Sequence, residues 1–360
     1  MRTFDYSFLA TRRWDTETMN LTNLIHEYKG KQDLYLRQKP AELDRLVEIA
    51  KVQSTEASNR MEGIVTTSSR INALMQQKTT PRNRDEKEIA GYRDVLNTIH
   101  ESHDYIPIRS NYILQLHRDL MQYTGSSLGG KYKSTQNYLE ETREDGSKFI
   151  RFTPVAPYET EPCINAICEC YQREIDRQEV DPLLLMPVFI ADFLCIHPFS
   201  DGNGRMSRLL TLLLLYQAGY VVGRYISIEK HIEKTKEVYY QALDDISQGW
   251  HEEKDDPEPF IKYMLGVILG CYREFEDRVD ALSKPDKDGK TMVKSSATDI
   301  VRAAVQSRIG RFTKTEIMNI CPTLSRSSVE AGLRELIQNG EVERFGTGRS
   351  TFYVRSDAVK

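Results

Sequence analysis

Two apolar stretches separated by a short polar run constrain the fold of this chain more than any other feature of its sequence. Leu183–Ile196 and Leu209–Tyr216 are the longest apolar stretches, and both are too short to span a membrane. The second is apolar on every side, which predicts a buried helix. Asp181-Pro182 supplies an N-cap and a first-turn proline for another helix, which ends where the polar run His197–Arg208 begins.

The side chains of this run suit chemistry on a phosphate. His197 titrates near neutral pH and can take a proton from a hydroxyl, and Asp201 is a hard oxygen ligand that suits nucleotide-bound Mg²⁺. Three residues before the second helix have backbone N–H groups that can converge on an anion: Gly202, Asn203 and Gly204. Arg205 and Arg208 are three residues apart, so they can share one helix face and clamp further phosphate oxygens.

The run resembles, at every specified position, the signature of the Fic family, H-x-F-x-(D/E)-G-N-G-R-x-x-R. A chance match in a chain of this length has a probability on the order of 10⁻⁸. The resemblance implies a protein adenylyltransferase, an enzyme that transfers AMP from ATP to a protein hydroxyl, with His197 as the base and Asp201 holding Mg²⁺. It assigns the phosphates to Gly202, Asn203, Gly204, Arg205 and Arg208. The alternative interpretation is a glycine-rich loop before a core helix, with His197 as a helix-end residue.

A second pattern, Ser58-Asn-Arg-Met-Glu-Gly63, lies about 135 residues ahead of His197. By itself it is an ordinary helix end with a glycine stop. Its position resembles that of the N-terminal inhibitory helix found in one class of Fic proteins, here around residues 54–63. The resemblance implies that Glu62 pairs with Arg208 and blocks the γ-phosphate site, while Ser58 fixes the helix by a hydrogen bond. Glu62 would also, as in some relatives, orient a water that removes AMP from a modified protein.

A hairpin is predicted before the two buried helices. Lys131–Leu139 and Lys148–Thr153 have strand-like composition, and the Asp-Gly pair in Glu140–Gly146 favours a turn between them. One interpretation is a surface hairpin. The resemblance implies instead that residues 131–153 form the flap that Fic proteins hold over the active site, where a target protein with a Ser, Thr or Tyr hydroxyl would dock by strand pairing.

The rest of the chain is predicted to be mainly α-helical, so the fold class is a Fic-type helical core with a β-hairpin flap. Apolar spacing predicts helices within residues 1–60 and over Asp85–His103, Ser110–Tyr123, Glu159–Gln178, Ile228–Ser247 and Pro259–Leu282. His117 lies beside an apolar face and is predicted to be structural. Tyr239 and Tyr240 resemble residues that line the adenine pocket in Fic proteins, although helix packing is the alternative for each of them.

A separate module is predicted at the C-terminus. Residues 290–360 contain 12 Lys and Arg against 7 Asp and Glu, a net +5, while the remainder of the chain is acidic. Helices are predicted at Thr298–Arg308, Thr313–Asn319 and Arg326–Gln338, and strands at Glu341–Phe345 and Thr351–Arg355. This order resembles a winged helix, in which Arg326, Arg344 and Arg349 would face DNA phosphates. Winged helices also make protein or homodimer contacts, and a charge of +5 is modest.

These patterns together define four predicted segments. They are a helical region at 1–105, the catalytic core at 106–282, a linker at 283–294 that begins with the polar stretch Ser283–Lys290, and the winged-helix module at 295–360. Six cysteines without a C-x-x-C pair, an N-terminus without a signal-peptide pattern and the lack of a membrane span predict a cytoplasmic protein with reduced thiols. The sequence thus predicts an autoinhibited AMP transferase. The alternatives are a de-adenylylating enzyme and a DNA-binding regulator with a nucleotide-sensing Fic core.

Overall fold

The computed structural model is mainly helical and carries two small β-hairpins. It describes residues 2–38, 40–142, 146–283, 297–306, 311–321, 324–346 and 351–356. Within them, the helices are α1 (Phe8–Thr11), α2 (Thr16–Gln38), α3 (Pro40–Met61), α4 (Ser68–Met75), α5 (Arg84–Ser102), α6 (Ser110–Met121), α7 (Pro157–Arg177), α8 (Pro182–Ile196), α9 (Asn203–Gln217), α10 (Ile228–Lys234), α11 (Lys236–Ser247), α12 (Glu258–Ser283), α13 (Ala297–Gln306), α14 (Lys314–Ile320) and α15 (Arg326–Gln338). The strands are β1 (Leu139–Thr142), β2 (Lys148–Phe152), β3 (Val342–Phe345) and β4 (Phe352–Arg355).

The chain divides into two compact units. The first comprises Met1–Thr66 and Ala73–Phe275, and the second comprises Thr67–Asn72 and Glu276–Lys360. The four segments predicted from the sequence stay predictions. No described helix is both long and apolar enough to cross a membrane. All six cysteines are buried thiols without a disulfide.

Helices α8 and α9 form the centre of the first unit, as the two apolar stretches predict. They pack against each other, α7 covers α8, and α5 packs on α9. Asp181 caps α8 by accepting a hydrogen bond from the Leu183 N–H at 2.9 Å. Gly219 ends α9 at a φ of 82°, which lets the Tyr220 N–H reach the Leu215 carbonyl at 2.8 Å. Both predicted ends of the core helices are therefore confirmed.

The predicted strand Lys131–Leu139 is wrong. Strand β1 begins only at Leu139 and pairs antiparallel with β2, with an irregularity between Leu139 and Glu140. Residues 131–138 do not form a strand because their polar groups bond elsewhere: Lys133 and Asn137 donate hydrogen bonds to the backbone that follows α8. The turn predicted between the strands includes residues 143–145, which lie outside the described residues.

The predicted single helix Ile228–Ser247 is also wrong. It is divided into α10 and α11 at Thr235, which has a φ of −115° and a ψ of 31°. The Thr235 hydroxyl donates to the carbonyl of His231 at 2.9 Å, and its backbone N–H donates to that of Ile232 at 3.1 Å. A β-branched residue that bonds its own backbone in this way competes with the continuous helix.

The second unit has the predicted order of three helices and a hairpin. β3 and β4 pair antiparallel, and a small core is formed by residues that include Val301, Phe312 and Leu333. Thr313 and Glu316 form a capping box at the start of α14. The winged-helix resemblance and the binding of DNA or protein by this unit stay predictions.

The predicted DNA-facing arginines are only partly described. The guanidinium of Arg326 is exposed and pairs with Glu330, which also pairs with Lys314. Arg344 lies on the exposed side of β3. Arg349 and most of the predicted linker 283–294 lie outside the described residues.

Candidate active site

His197 follows the last residue of α8 and has an unusual backbone conformation. Its φ of 50° and ψ of 63° lie in the left-handed region, and its N–H still donates to the Phe193 carbonyl at 3.0 Å. Non-glycine residues adopt this conformation rarely, at a cost of about 1–2 kcal/mol. The left-handed residue ends α8 and turns the chain sharply toward α9, so His197 lies at the junction of the two core helices.

The imidazole of His197 is held as a neutral base. Its Nδ1 lies 3.2 Å from the Leu194 carbonyl, which can only accept, so Nδ1 carries the proton and Nε2 is the basic nitrogen. Burial lowers the pKa of His197 to about 4, and the positive charge of Lys133 acts in the same direction. The ring is therefore unprotonated at neutral pH and can accept a proton at Nε2.

Asn203 and His117 hold the loop between His197 and α9. The Asn203 amide accepts from the Phe199 N–H at 2.9 Å and donates to the Phe199 carbonyl at 2.7 Å. His117 stacks on the Phe199 ring at 3.7 Å. Its Nδ1 accepts from the Gly130 N–H, and its Nε2 donates to the Asp201 carbonyl at 3.1 Å. His117 is therefore structural, as predicted, but what it supports is the loop of the candidate site.

A second set of bonds reaches the same loop from the segment before the flap. The Lys133 N–H donates to Pro198 O at 2.9 Å, and its ammonium donates to Ile196 O at 3.0 Å. The Asn137 amide donates to the carbonyls of the two residues His197 and Phe199, at 3.2 and 3.1 Å. The sequence analysis missed both residues, because nothing in the local pattern marks Lys133 or Asn137 as different from other polar residues near a hairpin.

Arg205 and Arg208 do not share partners, although their spacing suggested one common face. The buried guanidinium of Arg205 pairs with Glu88 of α5 at 2.8 Å and lies 3.5 Å from Asp201. Arg208, also buried, contacts the end of α3 instead. Glu88 is a further site residue that the sequence analysis missed, because 117 residues separate it from Arg205.

Asp201 is the residue that fits a metal ion bound together with a nucleotide. Its carboxylate is 40 % exposed and lies 3.3 Å from Arg84 and 3.5 Å from Arg205. The described residues contain no cluster of three His, Cys, Asp or Glu side chains that would form an all-protein metal site. Mg²⁺ is commonly held by one or two carboxylates together with substrate phosphates, which matches a single exposed carboxylate at the start of α9.

The end of α3 meets Arg208 with three hydrogen bonds. Arg208 donates from Nε to the Ser58 hydroxyl at 2.8 Å, and from Nη2 to the Ser58 carbonyl at 2.9 Å and to Glu62 Oε1 at 2.7 Å. Gly63 ends the helix at a φ of 76°, as the ordinary helix-end interpretation requires. The two interpretations of this pattern are therefore compatible: the same helix end stops at Gly63 and brings Ser58 and Glu62 to Arg208.

Glu62 is ionised in this contact. Burial raises its pKa, but the charge and hydrogen bond of Arg208 outweigh that effect and hold the pKa below its ordinary value. For Arg208, burial lowers the pKa, and the charge of Glu62 reverses this and raises it. The Glu62 side chain is one third exposed, whereas that of Arg208 is almost fully buried. The pair therefore has one fixed partner and one partner at the solvent boundary.

Gly204 lies directly beneath Glu62. A β-carbon at position 204 would overlap with Glu62 Oε1, and it would also approach Arg208 Nη1 to 3.3 Å. The carboxylate of Glu62 thus occupies the space above the first turn of α9, next to the backbone N–H groups at the start of that helix. An anion bound at this helix N-terminus would have to share the space with Glu62 or displace it.

A buried hydrogen-bond relay supports Ser58 from behind. Its hydroxyl accepts from Arg208 and lies close to the Tyr92 hydroxyl, which donates to Glu229 Oε1 at 3.0 Å. The other carboxylate oxygen of Glu229 accepts from the Ser227 hydroxyl at 3.2 Å. These side chains are almost fully buried. The relay connects α3, α5 and α10, so the position of Ser58 is determined by three elements.

The two predicted adenine-pocket tyrosines have different surroundings. Tyr239 is buried, close enough to Arg208 for their charges to interact, and its ring lies near those of Phe260 and Tyr263. Tyr240 is 37 % exposed, with its ring 5.4 Å from that of Tyr239. Their predicted contact with adenine stays a prediction.

Comparison with protein families places the site within one matched segment. Residues 107–215 match the family model described as Fic/DOC family. The match begins just before α6 and ends in α9. It therefore contains His117, the hairpin and the whole run from His197 to Arg208.

Curated relatives share about a quarter of their aligned residues with this chain. Protein adenylyltransferase Fic from Nematostella vectensis is 26 % identical over 236 residues, which are 62 % of this chain and 48 % of the relative. Protein adenylyltransferase Fic from Culex quinquefasciatus is 25 % identical over 271 residues, 69 % of this chain and 48 % of the relative. The chain spans about half the length of the curated relatives it matches.

Solved structures show the same fold. A Fic family protein from Desulfovibrio desulfuricans G20 has a TM-score of 0.61 at 19 % identity and covers 96 % of this chain and 97 % of its own. A Fic domain containing signaling protein from Bacteroides thetaiotaomicron VPI-5482 has a TM-score of 0.57 at 21 % identity. It covers 78 % of this chain and 100 % of its own.

Proposed function

We propose that this chain, whose residues 107–215 match the Fic/DOC family model, transfers AMP from ATP to a hydroxyl group of a target protein and is inhibited at rest by Glu62. The observation that carries the proposal is the juxtaposition of a neutral His197, an anion-binding helix N-terminus and an arginine that Glu62 engages. The curated relatives that bear the name protein adenylyltransferase support the same reaction.

In the proposed reaction, His197 acts on the attacking hydroxyl. The hydroxyl oxygen forms a bond to the α-phosphorus of ATP as Nε2 of His197 takes its proton. The bond from the α-phosphorus to the bridging oxygen breaks, and pyrophosphate leaves with that oxygen and its electron pair. The protonated imidazole then returns its proton to solvent. A base with its pKa lowered to about 4 is ready to accept this proton at neutral pH, although it is a weaker base than an ordinary histidine.

The N-terminus of α9 would hold the phosphates. Gly202, Asn203 and Gly204 bring backbone N–H groups and the positive end of the helix dipole to this point, and Arg208 adds a guanidinium. Asp201 would hold Mg²⁺, which neutralises phosphate charge when it is bound. Arg205, paired with Glu88 and close to Asp201, would orient that carboxylate in addition to its predicted contact with phosphate.

Inhibition follows from competition for Arg208. While Glu62 accepts the Arg208 hydrogen bond at 2.7 Å, a phosphate oxygen cannot take the same place. The carboxylate above Gly204 also repels an anion at the helix N-terminus. Phosphoryl-group transfer depends on positioning, so a triphosphate displaced by these effects would react slowly even if it bound.

The β-hairpin would dock the target. Ile150 of β2 is about half exposed, and Arg151 of β2 pairs with Asp244 of α11 at 3.0 Å, which fixes the strand on the core. An extended target segment could pair with the hairpin and bring its hydroxyl to His197.

The proposal is tested with the full chain and radiolabelled ATP. We expect Glu62→Gly to raise incorporation of AMP into the protein itself or into lysate proteins by about tenfold or more, because one charged hydrogen bond to Arg208 is lost. Glu62 follows the end of α3, so glycine at this position leaves the helix intact. The matched control is Glu62→Gly combined with His197→Ala. The proposal is wrong if Glu62→Gly transfers no AMP, or if the double variant transfers as much as the single one.

Removal of AMP from a modified protein is the second candidate function. It is favoured by the ionised state of Glu62, whose field reaches His197. A carboxylate at this place could orient a water for attack on the phosphorus of an AMP ester. Incubation of an AMP-modified target with the unaltered chain distinguishes the two: release of AMP that depends on Glu62 supports removal, and a stable modification contradicts it.

A further inference from the structure

Four consecutive carbonyl groups at the end of α8 and in the turn after it accept hydrogen bonds from two residues of one neighbouring segment. The carbonyls belong to four consecutive residues: Ile196, His197, Pro198 and Phe199. Lys133 bonds the first and third through its ammonium and its backbone N–H, and Asn137 bonds the second and fourth through one amide nitrogen. Helix C-termini leave carbonyls without helical partners, and here those partners come from outside the helix.

Lys133 and Asn137 also hold each other in place. The Lys133 ammonium donates to Asn137 Oδ1 at 2.9 Å, so the nitrogen end of the Asn137 amide is the one that faces the carbonyls. Lys133 is almost fully buried, and its positive charge lies at the negative end of α8. Burial lowers the pKa of Lys133 to about 8, so most of the side chain keeps its charge at neutral pH.

Lys133 and Asn137, here called the clamp, act on the turn after α8, here called the catalytic turn, in which His197 has the strained backbone. His197 holds a left-handed conformation that an unsupported chain would leave, because it costs about 1–2 kcal/mol. Such conformations persist where the surrounding structure determines them more than once. Bonds to the carbonyls on both sides of His197 do this, since rotation about its backbone would break several of them together.

We infer that Lys133 and Asn137 are positioning residues that hold the left-handed turn and thereby aim His197 at the attacking hydroxyl. The inference rests on the proposed function, in which His197 takes the proton from that hydroxyl. It also gives the segment before the hairpin a role of its own: Asn137 lies two residues before β1, so the same short segment carries both the clamp and the start of the flap.

The test uses the full chain with Glu62→Gly as background, to which Asn137→Ala or Lys133→Met is added. We expect kcat for AMP transfer to fall by about 10- to 100-fold, because misplacement of a reacting group by about 1 Å has an effect of this size. KM for ATP should change by less than about twofold, since the groups at the start of α9 are untouched. A general loss of folding would instead reduce the fraction of active protein and also weaken ATP binding.

Two control variants match these changes. Gln136→Ala removes hydrogen bonds to the carbonyls of Asn137 and Pro154, at 3.0 and 2.9 Å, but none to the catalytic turn. Lys131→Met removes an exposed lysine two residues from Lys133. Both controls should keep kcat within about twofold of the background. Equal losses in Gln136→Ala and Asn137→Ala would overturn the inference, as would an unchanged kcat in both clamp variants.

The pH profile adds a measurement that loss of packing alone would not change. In the described residues, Lys133 and Glu62 are the charged groups whose fields act on His197, and Glu62 is absent from the background. Lys133→Met should therefore move the acid limb of kcat to higher pH, while Lys131→Met should leave it in place. An acid limb that does not move in Lys133→Met contradicts direct action on the base.

Failure of the proposed function would be recognised separately. If the Glu62→Gly background transfers no AMP, hydrogen–deuterium exchange of amides 197–203 in the same variants still tests the clamp. Exchange about tenfold faster in Asn137→Ala than in Gln136→Ala supports the clamp. Equal exchange in the two variants overturns it.

Discussion

The turn that follows α8 and the end of α3 face the same helix N-terminus, but they are held in different ways. The turn around His197 is bonded through its backbone by Lys133 and Asn203, which are buried, and by Asn137, which is half-buried. The end of α3 reaches α9 mainly through side chains, and its charged contact is made by Glu62, one third exposed. The first region is determined by many bonds at once, whereas the second depends on a few.

This difference indicates that the turn around His197 is the permanent half of the site, whereas the contact of Glu62 with Arg208 is the removable half, because it can be broken. Backbone bonds to consecutive carbonyls cannot be lost one at a time without straining the rest, so the base stays in place. Arg208 is buried and needs an anionic partner, but the Glu62 carboxylate lies at the solvent boundary, so another anion can replace it and still neutralise the guanidinium. In the proposed function a nucleotide phosphate is such an anion, and so the candidate site combines a fixed imidazole with an arginine whose partner can change.

The largest effect is expected from the permanent half. In the Glu62→Gly background, His197→Ala should lower the rate of AMP transfer by about 10²- to 10⁴-fold, the usual contribution of a general base. The melting temperature should change little, because the ring bonds only to Leu194 O and alanine leaves the backbone clamp in place. A variant that keeps the background rate would show that another group takes the proton.

A smaller effect is expected when the removable half is weakened without changing its shape. Glu62→Gln keeps the size of the side chain but removes its charge, so self-modification should rise by about tenfold or less, below the gain in Glu62→Gly. Rates are compared by labelled AMP incorporation at equal protein concentration. If Glu62→Gln is as active as Glu62→Gly, charge alone accounts for the inhibition. If it is as inactive as the unaltered chain, charge contributes nothing.

The relay behind Ser58 should have an effect of a few-fold. Tyr92→Phe removes the hydroxyl that connects Ser58 to Glu229, so the end of α3 should hold Arg208 less firmly. We expect AMP incorporation to rise by about threefold, with a loss of about 1–3 kcal/mol of stability from the buried carboxylate. Tyr105→Phe, at an exposed tyrosine, is the control. A stability loss with no change in rate would separate the relay from inhibition.

The smallest change is expected from mild acid. In the proposed reaction the neutral form of His197 accepts the proton, and its lowered pKa of about 4 keeps the ring neutral as the pH falls from 7 to 5.5. Over this window the kcat of Glu62→Gly should change by less than about twofold, with activity lost only as the pH approaches 4. An ordinary histidine would lose about tenfold over the same window. An acid limb near pH 6.5 would show that His197 is not held as a neutral base.

The parts of the fold that follow from local chemistry were predictable. The apolar stretches, the Asp181 cap and the glycine stops at Gly63 and Gly219 each act within a few residues, so their patterns are complete in the sequence. One error, the division of Ile228–Ser247 at Thr235, has a local cause, and the other occurs where residues bond far along the chain. Residues 131–138 have strand-like composition, but the bonds of Lys133 and Asn137 reach some 60 residues away, and a local pattern does not contain them.

The sequence by itself determined which chemistry is proposed for the site, because the predicted base, the predicted metal ligand, the anion loop and the arginines lie within one short run and their types leave few alternatives. The resemblance had already implied the pairing of Glu62 with Arg208, but only the tertiary structure decided two other sets of partners: Glu88 for Arg205, and the clamp that holds His197. The physical reason is the distance along the chain over which each interaction acts. Helix formation and capping act between neighbours in sequence, whereas burial of a charge requires a partner that the packing of distant helices supplies.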